Sequence, residues 1–483
     1  MNGRLALPRF DVAAVGLGGL ATAFAVLSVE RVGAPLALGL LLGATALVGI
    51  VLAYIAVPHV AVAATIPFFA VLPTLRVFVD PLVGGTKDLV VFAAVVAAGI
   101  LFFRRRAGRQ PWLADWSVLV VGAFLLALYV ANVGGYLSGE TGHGAAWFHG
   151  VRLLGEPLAL LLVGLSLRDP RRTLRWGAIS LAATTVAIAL FGLVQQALGV
   201  NRLMDLGYTY GTEVREAYGV LRSFGTLSEP FSYAGFLLLG LATVLLWGRR
   251  GRLVYLAAPL VSIGLVVSFV RTAALIALAV LGLALARRGH VRFALFLVLT
   301  SAVAAATIFA IGSQETSTRL VEVSPNQYLT LNGRTTLWQE QLGTARSNWV
   351  FGRGVGATGT ASQRAEATLT GARAEGGEEG GSPVDSAYLA TVADVGLVGL
   401  ALLLALFGRL VLLAWRAAER GESSGWLALG VLTVLLLDAL TRDSLTGFPT
   451  AYIGLLLVGV ALATWRSEAA PRADEEPRPL AAR

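Results

Sequence analysis

The feature that most constrains this chain is the recurrence of apolar blocks of membrane-spanning length; residues 34–57, for example, hold no Asp, Glu, Lys or Arg. About 20 apolar residues in a helix cross the roughly 30 Å hydrocarbon core of a bilayer. Lipid offers no hydrogen bonds, so a spanning backbone must satisfy itself within helices or a closed barrel. These blocks are too long and too continuous for the ten-residue alternation of barrel strands. With 56% hydrophobic residues, 14% charged residues and a mean hydropathy of +0.74, a chain of 483 residues also lacks the polar content to cover a soluble globule. The expected fold is therefore all-α, a polytopic integral membrane protein with about 12–14 transmembrane helices.

Fourteen helices are expected, near 12–29, 34–55, 57–75, 88–103, 116–134, 150–167, 174–197, 231–247, 253–269, 272–286, 291–312, 386–414, 424–441 and 447–464. They divide the chain into an N-terminal bundle of about eleven helices (1–312), a long polar loop (313–385) containing short helices, C-terminal helices (386–465) and a disordered tail (466–483) rich in Pro, Ala, Glu and Arg. Met1 to Asp11 reads as a short basic leader to a retained helix, because no small-residue cleavage site follows. The absence of Cys excludes disulfides and thiolate metal sites.

Basic charge is almost all Arg, Lys87 being the single Lys. With the N-terminus cytoplasmic, the connections after even-numbered helices hold Arg104, Arg105, Arg106 and Arg109, then Arg168, Arg171, Arg172 and Arg175, then Arg249, Arg250 and Arg252, then Arg287, Arg288 and Arg292, then Arg409, Arg416 and Arg420. Five successive loops thus obey the positive-inside rule. Membrane topology accounts for most of the basic charge, and no nucleic-acid partner is expected. The same parity puts the 198–230 and 313–385 loops outside, with both termini in the cytoplasm.

Arg222, Arg271, Arg334 and Arg353 are among the arginines at or near the outer face, where the orientation rule does not place them. A guanidinium is a permanently charged planar fork that matches phosphate oxygens in pairs, so arginines converging there suit a phosphorylated or pyrophosphorylated lipid; singly, each also fits snorkelling to headgroups. They sit in three segments: Arg222-Ser-Phe-Gly-Thr-Leu-Ser-Glu-Pro230 before a helix; Ser268-Phe-Val-Arg271 between two helices; and Arg334 and Trp338, the Gly352, Gly354, Gly356 run, then Asp385-Ser386, nine residues, and Gly396-Leu-Val-Gly399.

In order, spacing and helix context, these segments resemble the O-antigen ligase and O-antigen polymerase superfamily of bacterial envelope glycosyltransferases. The last segment is similar to the ligase pattern His-Ser-x9-Gly-x-x-Gly, with Asp385 in place of His. The resemblance covers about residues 215–400. It implies a metal-independent, inverting glycosyltransferase of the bacterial cytoplasmic membrane that uses an undecaprenyl-pyrophosphate-linked glycan and a glycan or lipid-glycan acceptor at the outer leaflet, among membrane lipids and without a cofactor. On it, Arg222, Arg271 and Arg334 are the pyrophosphate ligands, and Asp385 and Glu229 the candidate catalytic carboxylates.

Each assignment has a plainer counterpart. Asp385 fits a helix N-cap as well as a proton acceptor, and Glu229 before Pro230 fits a cap equally. Arg152 and Glu156, like Asp438 and Arg442, are four residues apart and suit pairing within one helix. The glycine run suits a tight turn better than an anion-binding nest. A different class, a polysaccharide or lipid-linked oligosaccharide transporter, would gather polar residues near the bilayer midplane in two similar halves; no internal repeat is visible. Convergence of the three arginines on one cavity favours the enzyme, and a polar path through the bundle favours the transporter.

Overall fold

The computed structural model describes residues 34–79, 81–104, 122, 144–217, 219–247, 252–289, 291–315, 338–339, 343, 349–352, 354–356 and 386–469. Among them are twelve helices: α1 (Ala34–Ala56), α2 (Pro58–Phe78), α3 (Thr86–Arg104), α4 (Gly144–Ser166), α5 (Pro170–Asp205), α6 (Pro230–Leu246), α7 (Arg252–Val267), α8 (Arg271–Arg288), α9 (Val291–Glu315), α10 (Ala387–Glu419), α11 (Ser423–Asp438) and α12 (Thr450–Ala469). Five helical stretches, in α2, α3, α4, α5 and α10, are long and apolar enough to cross a membrane. Each of the twelve matches an expected helix within several residues. The helices expected at 12–29 and 116–134 lie outside the described residues.

Three departures from the expected plan matter. Helix α5 runs longer, past Gly199, whose φ of 73° and ψ of 173° break the helix. Helix α10 also runs longer, with a similar break at Gly396 (φ 69°). The connection from α5 to α6 contains a two-stranded antiparallel hairpin, β1 (Arg215–Ala217) and β2 (Val220–Arg222), in which Arg215 pairs with Arg222. Its turn includes Gly219 at φ 74°, a conformation favoured by glycine in tight hairpins.

Helices α6 and α12 lie at the centre. Every residue of α6 from Ser232 to Leu246 is buried, as are all residues of α12 from Thr450 to Leu462, which is what a helix apolar around its whole circumference requires. Glycines permit the closest approach in this core. A Cβ on Gly164 of α4 would collide with the Leu456 carbonyl oxygen, and one on Gly459 of α12 with that of Leu161. The start of α6 carries Glu229, Pro230 and Phe231, so the first motif sits at the end of a central, tightly held helix.

Candidate functional site

Two adjacent glutamines of α5 shape the first motif. The Gln195 side-chain oxygen accepts from the amides of Phe224 (3.1 Å) and Gly225 (2.8 Å), while its Nε2 donates to the Gly225 carbonyl (2.9 Å). Gln196 Nε2 donates to Leu221 O (2.6 Å) and to Ser223 Oγ (2.8 Å), and Ser223 Oγ donates to Gly192 O (2.7 Å). Thr226 is tied to α2 on both sides: its hydroxyl donates to Ala70 O, and its carbonyl accepts from the Thr74 hydroxyl, each at 2.8 Å. Irregular backbone is tolerated inside an apolar bundle only when its polar groups are paired in this way. Residues 221–226 thereby become a rigid mount for Arg222. Sequence reasoning missed Gln195 and Gln196; two amide side chains in an otherwise apolar helix were the available signal.

The second motif forms the turn anticipated between two helices. Phe269 is held at φ 52°, a left-handed conformation that costs a residue with a side chain on the order of 1–3 kcal/mol. Ser268 stabilises the turn: its hydroxyl donates to Leu265 O (2.6 Å) and accepts from the Val270 amide (3.2 Å). Arg222 Nε donates to Ser268 O (3.3 Å), and the Ser223 amide donates to Val267 O (2.9 Å). The first two motifs are thus joined directly, three residues from Arg271. Arg271 is the exposed first residue of α8 and lies on the rim of a groove of about 300 Å³ lined almost wholly by apolar side chains of α6, α7, α8 and α9, among them Leu241, Leu265, Leu278 and Leu297.

The third element of the site comes from after α11. The guanidinium of Arg442 lies 5.4 Å from the centre of the Phe231 ring, and that of Arg222 lies 4.7 Å from the same ring. Arg442 donates to the Phe231 carbonyl (2.6 Å), to Asp438 (3.4 Å) and to Glu229 Oε1 (3.5 Å). Glu229 Oε1 also accepts from the Ser232 hydroxyl (3.2 Å), and its Oε2 is 4.0 Å from Arg215. The expected pairing of Asp438 with Arg442 within one segment is therefore present, but it is part of a larger cluster. Glu229 holds the N-cap position of α6 without a capping bond from its side chain. Its oxygens face cations instead.

Arg442 also reaches the segment that follows the long loop. The Ala387 amide is shared between Ala439 O and Arg442 O, both at 3.0 Å, and the Ser386 hydroxyl donates to Ala439 O (3.2 Å). Ser386 takes the N-cap position of α10, so the cap expected at Asp385 is displaced by one residue. Asp385 itself, Arg334 and Arg353 lie outside the described residues.

The glycine run docks into the break in α10. Gly352, Gly354 and Gly356 all have positive φ (72°, 114° and 81°), the Gly354 amide donates to Asp394 O (2.9 Å), and the Gly356 amide donates to the Asp394 carboxylate (3.1 Å). The Leu397 amide returns a bond to Trp349 O (2.8 Å). This is the tight turn, its amides committed to Asp394. Val355 is buried against Leu154 and Val395, which places the turn on α4 as well.

A second polar cluster joins α3, α4 and α12. Glu156 accepts from Lys87 (2.6 Å) and from the Tyr452 hydroxyl (2.5 Å), and Asp88 pairs with Arg152 (3.0 Å) and Lys87 (3.1 Å). The expected Arg152–Glu156 pair is stretched to 3.9 Å because Lys87 takes the better position on Glu156. Cations and carboxylates match one for one, as groups buried among helices require. Among the described residues no group of three or more His, Cys, Asp or Glu could hold a metal ion. Compared with known proteins, the chain matches no family model and no curated protein sequence.

Proposed function

We propose that the protein is a membrane glycosyltransferase that uses a glycan linked through pyrophosphate to a long isoprenoid lipid, in the manner of O-antigen ligases and polymerases, at the outer leaflet of a bacterial cytoplasmic membrane. One observation carries the reading: Arg222 is bonded to the turn that bears Arg271, and Arg271 rims an apolar groove. A charged rim over an apolar slot matches an anionic headgroup on a hydrocarbon tail. Among the described residues the polar groups of this cluster also collect at helix ends around Phe231, which supports an enzyme over a transporter.

In this reaction an acceptor hydroxyl attacks the anomeric carbon of the donor sugar from the face opposite the pyrophosphate. The bond from that carbon to the pyrophosphate oxygen breaks, its electron pair leaves on the oxygen, and configuration inverts. Arg222 and Arg271 neutralise the charge that develops there, a preorganised arrangement that lowers the barrier without reorganisation. Arg334 is the third ligand on this reading, brought in by the loop. Asp385 takes the hydroxyl proton, its chain neighbour Ser386 being fixed against the Arg442 segment.

The test is transfer by the purified full-length chain, supplied with a lipid-pyrophosphate-linked glycan and scored for chain extension or transfer to a second glycan. Arg222→Lys and Arg271→Lys each lower turnover by roughly a hundredfold, because a point charge does not reproduce the guanidinium fork. Arg106→Lys, far from the motifs in sequence, leaves it unchanged. Movement of the intact lipid-linked glycan across vesicles with no new glycosidic bond would replace this reading with the transporter.

A further inference from the structure

Glu229 makes an unusual set of contacts for a carboxylate beside a candidate substrate site. It faces two guanidinium groups at 3.5 Å (Arg442) and 4.0 Å (Arg215), well beyond the roughly 2.8 Å of a well-formed charge-assisted hydrogen bond. The same protein builds tight pairs elsewhere, with Lys87 and Glu156 at 2.6 Å. The Glu229 side chain is 32% exposed and that of Arg442 16% exposed, so a soluble anion can reach both. The hairpin adds a second oddity. Arg215 and Arg222 stand directly opposite each other on paired strands, where like charges repel unless an anion lies between or beside them.

We infer that Glu229 is an internal stand-in for substrate phosphate, and that Arg442 is a substrate-binding residue from which Glu229 is displaced. The inference rests on the pyrophosphate reading above and extends it to residues that reading does not use. Arg442 and Arg222 both pack on the Phe231 ring, their guanidinium carbons 5.4 Å and 4.7 Å from its centre, so the two are separated by no more than that ring and one diphosphate has the length to reach both. When the diphosphate takes the Arg442 fork, Glu229 keeps Ser232 and Arg215, and the hairpin retains its counter-ion. The Glu229 carboxylate offsets the repulsion among the arginines, a part the phosphates take over when they bind. This gives Glu229 a role other than proton acceptor, and it makes the carboxylate a competitor whose removal strengthens binding.

The experiment measures the stabilisation of the detergent-purified full chain by inorganic pyrophosphate, titrated at constant ionic strength. Glu229→Gln binds pyrophosphate roughly three- to tenfold more tightly than wild type, the range expected when one loosely held competing charge is removed. Glu229→Asp, with its shorter reach, shifts binding in the same direction and guards against a fault peculiar to the amide. Arg442→Gln and Arg442→Lys both weaken binding, and the combined Glu229→Gln, Arg442→Gln variant loses the gain. A helix-start residue with a merely structural part would lower the melting temperature in both Glu229 variants without tightening pyrophosphate. Wild-type binding that Arg222→Lys weakens, together with unchanged or weaker affinity in both Glu229 variants, would overturn the stand-in role and leave the proposed function in place. Failure of the wild type to bind pyrophosphate would remove both.

Discussion

Phe231 and the residues about it show how individual side chains set the site. A guanidinium over an aromatic face gains about 0.5–2 kcal/mol, more as water is excluded, and two such groups share this one ring. The ring therefore fixes where charge can stand without itself carrying any. Asp385 offers the sharpest test at this scale. Ser386 holds the N-cap position of α10, so Asp385→Asn leaves the helix start intact, and even Asp385→Ala lowers stability by no more than about 1 kcal/mol. As the proton acceptor of the proposed transfer, the Asn variant loses its base, and turnover falls by roughly a hundredfold while expression and melting temperature hold. Asp385→His restores the ligase pattern and retains part of the activity. Glycan transfer at the wild-type rate by Asp385→Asn would take the residue out of the chemistry.

At the scale of elements, the break in α10 and the glycine turn form one joint. Gly396 at φ 69° interrupts the helix where residues 349–351 lie against it, and a Cβ there would collide with the Val350 carbonyl. The reverse contact is as close: a Cβ on Gly352 would meet the Asp394 carbonyl. The Gly-x-x-Gly part of the third motif thus has a packing reason at its first glycine. Gly396→Ala meets both the left-handed backbone and the collision, and costs on the order of 1–3 kcal/mol. The expected result is a lowered melting temperature together with faster proteolysis within residues 316–385, since the turn at residues 349–356 no longer seats against α10. Gly408→Ala, on the same helix with open space where its Cβ would stand, is the control, with a far smaller effect. Equal protease sensitivity in Gly396→Ala and wild type would show that the joint does not anchor the loop.

For the whole molecule, orientation is the property to measure. The arginine asymmetry predicts that a single Cys at Gly376 is labelled from outside intact cells and one at Gly108 only after permeabilisation, and the natural absence of Cys leaves no background. The reverse pattern would place Arg222 and Arg271 in the cytoplasm, away from an outer-leaflet donor. The start of α6, the turn before α8, the segment after α11 and the start of α10 are joined by hydrogen bonds around Phe231 and Arg442, so these ends share one side of the bundle.

The helical class of the fold and the approximate positions of the twelve described helices were legible from the sequence, because uninterrupted apolar runs such as residues 34–56 suit a helix that satisfies its own backbone. The Ser268 turn was legible for the same reason: it is a short polar break between two such runs. Arg442 was not. Its local reading, a partner for Asp438 four residues before it, is true and incomplete, since Glu229 and Phe231 lie more than two hundred residues away in the chain and meet it only through the packing of α6 beside α11. The Gln195 and Gln196 mount was hidden likewise, because an amide in an apolar helix does not announce which distant backbone it will satisfy. Periodicity and composition report how each segment meets its solvent. Which charges share a site is decided by long-range packing, where a long side chain takes the best partner within reach in space: Lys87 displaces Arg152 from Glu156, and Glu229 lies between Arg215 and Arg442.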